Sequence, residues 1–123
     1  MSVSGVLIAE SLLKNNQFEG VTLQVGKISR ADVGDVSAGQ PLTWTFIEFN
    51  VEDQFLTDLV EAISRSLDPT GGWYCDFHTA EEIFVVFAGR AFRYPRGDVQ
   101  GRAEAEAYGR FAGVPEAQLD WGE

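Results

Sequence analysis

Five consecutive apolar residues, Ile83-Phe84-Val85-Val86-Phe87, place the tightest constraint on how this chain can fold. A strand wet on one side alternates apolar with polar positions, and this run contains no polar position. It therefore predicts a strand at the centre of a sheet. Ala88-Gly89-Arg90 reads as a tight turn, with glycine free to take a positive φ, and residues 91–94 as the returning strand. Ahead of the run, residues 73–78 alternate. Trp73, Cys75 and Phe77 point one way, and Tyr74, Asp76 and His78 the other.

Helices are expected on both sides of this three-strand stretch. Leu56, Leu59, Val60, Ile63 and Leu67 recur at helical spacing, with Asp58, Glu61 and Arg65 on the other side. Asp53 is placed to cap that helix, and Asp68-Pro69-Thr70-Gly71-Gly72 ends it. Asp98 is placed to cap a second, alanine-rich helix over residues 99–112, with Ala103, Ala107, Tyr108 and Phe111 on one face. Gly113 suits its C-cap, and Pro115 begins a short last turn that carries Leu119 and Trp121. Upstream, Val21, Leu23 and Val25 alternate with polar residues, and residues 42–51 read as a more buried strand. Residues 30–40, rich in Asp, Gly and Ser, form the loosest segment between them.

The expected order is β-β-α-β-β-β-α, an α+β fold with a mostly antiparallel sheet and both helices on one face. No repeat or linker divides the chain, so residues 1–123 are expected to form one domain. A ferredoxin-like arrangement is the nearest named alternative, although its final strand is missing. Residues 54–112 share the helix–three strands–helix order of a double-stranded-RNA-binding domain. That domain meets phosphates with lysines at the start of its second helix, where this chain has Asp98, Arg102, Glu104 and Glu106.

Charge narrows the partners. Nine Lys and Arg oppose nineteen Asp and Glu, for a net charge of −10, and no segment has a basic excess. Phosphate surfaces are held largely through displaced counterions, so neither nucleic acid nor an anionic membrane is expected as a partner. Residues 6–13 are partly apolar, but Glu10 interrupts them and no Lys or Arg precedes them, so no targeting segment is expected. One cysteine excludes an internal disulfide, and the default compartment is the cytoplasm.

Several residues invite a chemical reading. Cys75 and His78 are three apart on a strand and so face opposite ways, which removes a thiol–imidazole pair and leaves Cys75 as a core residue. Asp76 and His78 share a face near Glu81 and Glu82, but charged turns are normally just solvated, and no metal or cofactor is expected. Arg90, Arg93 and Arg96 are dense for so acidic a chain. A guanidinium fork there can hold an anion, although pairing with Asp76, Glu81, Glu82 or Asp98 is the favoured reading. The candidate binding residues are Tyr74, Asp76, His78 and Arg93; no catalytic residue is singled out.

Three segments also carry a resemblance: Trp73-Tyr74-Cys75-Asp76-Phe77, Val85-Val86-Phe87-Ala88-Gly89-Arg90-Ala91-Phe92, and Gly113-Val114-Pro115-Glu116-Ala117-Gln118-Leu119-Asp120. Together they resemble a family of small bacterial proteins. The resemblance implies a bacterial cytoplasmic protein made of this one domain; it brings no activity, cofactor or catalytic residue with it.

The expected function is a non-enzymatic acidic module that binds another protein, of an accessory or immunity type. The alternative is a small-molecule-binding protein or weak enzyme using the polar face around Asp76, His78 and Arg93. With both helices on one face, the other needs a cover. Either residues 3–13 or a second copy of the chain would supply it, and a homodimer is the favoured expectation.

Overall fold

In the computed structural model, which describes residues 2–34 and 36–122, six strands form one sheet. They are β1 (Ser2–Ile8), β2 (Gln24–Asp32), β3 (Thr43–Glu52), β4 (Cys75–His78), β5 (Glu82–Phe87) and β6 (Arg90–Pro95). Helix α1 (Leu56–Ser66) lies between β3 and β4, and helix α2 (Val99–Phe111) follows β6. The strands line up as β2-β3-β1-β4-β5-β6, every neighbouring pair antiparallel. The fold is α+β, and the expected element order is present from β2 to α2.

A strand that the sequence reading did not assign precedes that order. Residues 3–13 were one of two candidate covers for an open face, yet β1 lies inside the sheet. Its whole length runs against β3, from Ser2 opposite Glu52 to Ile8 opposite Phe46. On its other side it meets β4 at one registered pair, Gly5 and Phe77. The alternation of buried Val3 and Leu7 with exposed Ser2, Ser4 and Val6 was the signal. Gly5 is required at the seam: a Cβ there would sit 2.7 Å from the Phe49 ring.

Two other boundaries moved. The second strand was expected over residues 21–26 and occupies Gln24–Asp32, because its ladder to β3 continues through Ile28 and Arg30 to Asp32. Val21 and Leu23 instead pack against the core from the loop. Asp53 does not cap α1; it starts a 3-10 turn, Asp53–Phe55, that feeds into the helix without a side-chain cap. Asp98 does cap α2, accepting a hydrogen bond from the Gly101 N–H at 3.1 Å, an arrangement worth about 1 kcal/mol.

The helices were expected on one face and lie on opposite faces. Consecutive apolar residues on β5 present apolar side chains to both sides, and each helix buries one side. Phe84 and Val86 join Val3, Leu7, Phe49, Val51, Cys75 and Phe77 under Leu59 and Ile63 of α1. Ile83, Val85 and Phe87 join Tyr94 under Ala105 of α2, with Val114, Leu119 and Trp121 completing the layer. Leu59 and Ile63 are both fully buried, each contributing roughly 1.5–3 kcal/mol.

The inner face of α2 also differs from expectation. Gly101, Ala105 and Gly109 recur every fourth residue, and Tyr108 packs beside them, while Ala103 and Ala107 face solvent and Phe111 is 84% exposed. The small residues let the helix close in: a Cβ on Gly101 would lie 2.6 Å from Tyr94 Cβ. Of the expected face only Tyr108 packs inward.

Candidate functional site

Over the seam between β1 and β4, on the α2 side of the sheet, lies a cleft of about 360 Å³. Strand alternation builds its floor. Val6 and Ile8 of β1, Trp44 and Phe46 of β3, and Asp76 of β4 come up between the buried positions that face α1. Trp73 and Tyr74 form one wall, and Ala117, Gln118 and Asp120 of the C-terminal segment form the rim. α2 itself covers the β5–β6 half of this face, which leaves the cleft uncovered beside it.

The wall is held by aromatic contacts and by amides. Trp44 and Trp73 lie with ring centroids 5.1 Å apart, and the Trp44 indole N–H donates to the Pro41 carbonyl at 2.9 Å. The Tyr74 ring packs edge-on against Trp121 at 5.2 Å, and its hydroxyl donates to the Gln118 carbonyl. Buried Gln40 exchanges amide hydrogen bonds with Gln118 at 2.8 and 3.3 Å and donates to the Gly72 carbonyl at 3.3 Å. Gly72 permits this meeting of three segments. Its φ is +71°, and a Cβ there would lie 2.4 Å from the Gly113 carbonyl oxygen.

Two carboxylates give the cleft its sign. Burial pushes the Asp76 carboxyl up from its ordinary pKa, and the Asp120 charge pushes it further; His78 and Arg102 oppose both. No other described residue donates a hydrogen bond to the Asp76 side chain. The Tyr74 phenol is pushed up by burial and by the same two carboxylates. Asp120 lies 3.4 Å from the Tyr74 hydroxyl. A cleft with aromatic walls and negative charge at floor and rim suits a cation.

The four residues singled out in the sequence separate here. Tyr74 and Asp76 line the cleft. His78 shares their face but is exposed at the far end of β4, outside the lining. Arg93 is not brought to the site. It stands opposite Phe84 on the α1 side, stacked 5.1 Å from that ring and forked onto both Glu82 oxygens at 2.7 Å. That engagement lowers the Glu82 carboxyl and raises Arg93. Its neighbours are also engaged within the chain: the Arg90 guanidinium lies over the Phe92 ring at 4.7 Å, and the Arg96 guanidinium donates to the Thr79 carbonyl at 3.3 Å.

Cys75 turns into the α1-side core. Its thiol donates to the Val6 carbonyl at 3.4 Å, and burial pushes its pKa up, so it holds its proton and is no nucleophile. Among the described residues, no group of three or more His, Cys, Asp or Glu is placed to hold a metal ion, and no helix is long and apolar enough to cross a membrane.

Sequence reasoning missed Trp44, Phe46, Trp73, Gln118 and Asp120 as companions of Tyr74 and Asp76. Trp44 and Phe46 were visible as alternate positions of one strand. Their approach to β4 depends on β1 lying between, and β1 had not been assigned. No family model, no curated protein and no solved structure matches the chain.

Proposed function

We propose that this protein is a non-enzymatic binding module for a basic protein partner, and that the cleft over the β1–β4 seam is its point of contact. The observation that carries this reading is the pairing of the Trp44, Phe46, Trp73 and Tyr74 surface with the Asp76 and Asp120 carboxylates. Around it the chain carries ten net negative charges, which steer a basic protein towards it and speed encounter. The inert Cys75 thiol and the outlying His78 argue for binding over covalent chemistry.

Affinity capture from the native cell extract tests this, with wild-type protein and Trp44→Ala side by side at low and high salt. A partner retained at low salt, released at high salt and lost with Trp44→Ala supports the reading. Recovery of no partner at low salt counts against it.

The cleft volume also falls in the range of small-ligand sites, roughly 300–1,000 Å³, which favours small-molecule binding as the second reading. The ligand would be a cation held by Tyr74, Asp76 and Asp120. The version that relies on Arg93 loses its support, because that side chain is spent on Glu82 across the sheet.

A further inference from the structure

We propose that the group received by the cleft is a single arginine side chain of the partner protein, its guanidinium laid on the aromatic wall and forked onto Asp76. The inference rests on the binding-module reading and names what that module recognises. Three features point to arginine.

The first is shape. Guanidinium is planar and weakly hydrated, so it stacks on aromatic faces where a compact, strongly hydrated ammonium does so less readily. Here Trp44, Trp73 and Tyr74 border one space, and Trp44 and Trp73 are already in ring contact as a rigid surface. The second is an acceptor left over. Asp76 is half-buried, lies in the cleft and takes no hydrogen bond from another described residue. A guanidinium offers two parallel N–H donors to such a carboxylate. The third is local precedent within the same molecule. Arg102 lies 5.4 Å from the Trp121 ring and 3.5 Å from a Glu106 oxygen, and Arg90 lies over Phe92 and Tyr108. This face of the sheet already holds two guanidinium groups against aromatic rings, and Arg102 has acceptors beside its ring as well. Among the described residues the cleft lining holds no Lys, Arg or His, and the nearby Arg102 donates to the Gly122 carbonyl and pairs with Glu106.

The partner's chain would enter from the β1–β3 half, which no helix covers, towards the rim at Ala117, Gln118 and Asp120. Asp120 is exposed there and adds a second negative charge within reach of the incoming side chain.

The test is a titration of the whole protein, followed by the Trp indole and backbone amide resonances. The probes are three capped pentapeptides that differ only in their central residue: arginine, lysine or citrulline. Arginine peptide is expected to shift the Trp44 indole and the Asp76 amide at low-millimolar concentration. Lysine peptide binds several-fold more weakly, and the uncharged citrulline peptide shifts neither. Asp76→Asn, which keeps the shape of the side chain, weakens arginine peptide binding by about tenfold. Trp44→Phe, which keeps a ring, weakens it less than Trp44→Ala.

Equal response to all three peptides, or arginine-induced shifts away from the cleft, overturns the inference. Capture from extract separates it from the reading beneath it. A partner lost with Trp44→Ala alongside no arginine response leaves the module and removes arginine as its target. An arginine response at the cleft with no captured partner removes the protein-binding module and leaves a guanidinium site.

Discussion

The face of the sheet under α1 and the face under α2 use alternate residues of the same strands, yet they close in different ways. Under α1 the layer is almost wholly aliphatic and phenyl: Val3, Leu7, Phe49, Val51, Phe77, Phe84 and Val86 meet Leu59 and Ile63. A helix with one broad apolar stripe seals it. Under α2 the layer is built from polar-tipped rings. Tyr74, Tyr94, Tyr108 and Trp121 surround Val85 and Phe87, and the Trp121 indole N–H donates to the Tyr94 hydroxyl at 2.8 Å. The glycine and alanine stripe of α2 brings that helix close but covers little width. The C-terminal segment finishes the β5–β6 half, and the β1–β3 half stays open as the cleft. One face of the sheet is closed along its length, and the other keeps an open cleft beside its helix.

That division is tested most severely by Phe77→Ala. It removes a buried ring stacked 5.1 Å from Phe84 at the one registered pair that joins β1 to β4. A loss of about 3–5 kcal/mol is expected in urea unfolding. A loss no larger than that of a surface substitution would mean that the α1 face does not carry the fold.

Tyr94→Phe probes the other layer. It leaves the buried Trp121 N–H without its acceptor, for an expected loss of about 1–3 kcal/mol by the same measurement. If Tyr94→Phe costs as much as Phe77→Ala, the two faces are equivalent in energy and the contrast fails.

Asp76→Asn should act in the opposite direction. Asp76 holds its proton more tightly folded than unfolded, because burial and the Asp120 charge disfavour its carboxylate. Its contribution to stability is therefore present below its ordinary pKa and lost as pH rises through the raised value. Asparagine cannot ionise, so the variant is expected to unfold at a higher temperature than wild type at neutral pH. The gap should vanish in acid. Thermal melts across that pH range give the sign, and a variant less stable at neutral pH would show that the carboxylate stabilises the fold.

The smallest effect belongs to Glu82→Gln. It breaks the fork to Arg93 on the rim of the α1 face, where Arg93 is 63% exposed. Exposed pairs contribute little, so a change below about 1 kcal/mol is expected. A larger value, read from the same denaturation curves, would make that ion pair a structural clamp at the end of β5.

The chain's periodicity alone determined α1, the hairpin of β5 and β6, the cap at Asp98 and the α+β class. Each rests on neighbours in sequence: an apolar residue every third or fourth position, a glycine in a turn, a carboxylate three residues before an amide. Alternation likewise put Tyr74 and Asp76 on one side of β4 and Cys75 on the other. What remained hidden depended on who lies beside whom. In β1 the alternation rests on only two buried residues, Val3 and Leu7, and its place in the sheet is set by pairing with residues 46–52 of β3. Only that pairing brings Trp44 and Phe46 towards Tyr74 and Asp76. The parity that sends Arg93 to the α1 side follows from its register with Phe84, and the two-sided burial of β5 put the helices on opposite faces. Local spacing fixes which elements form, because their energies are local. The cleft joins residues 6 to 120 across four elements, and such contacts exist only once the sheet order has been chosen.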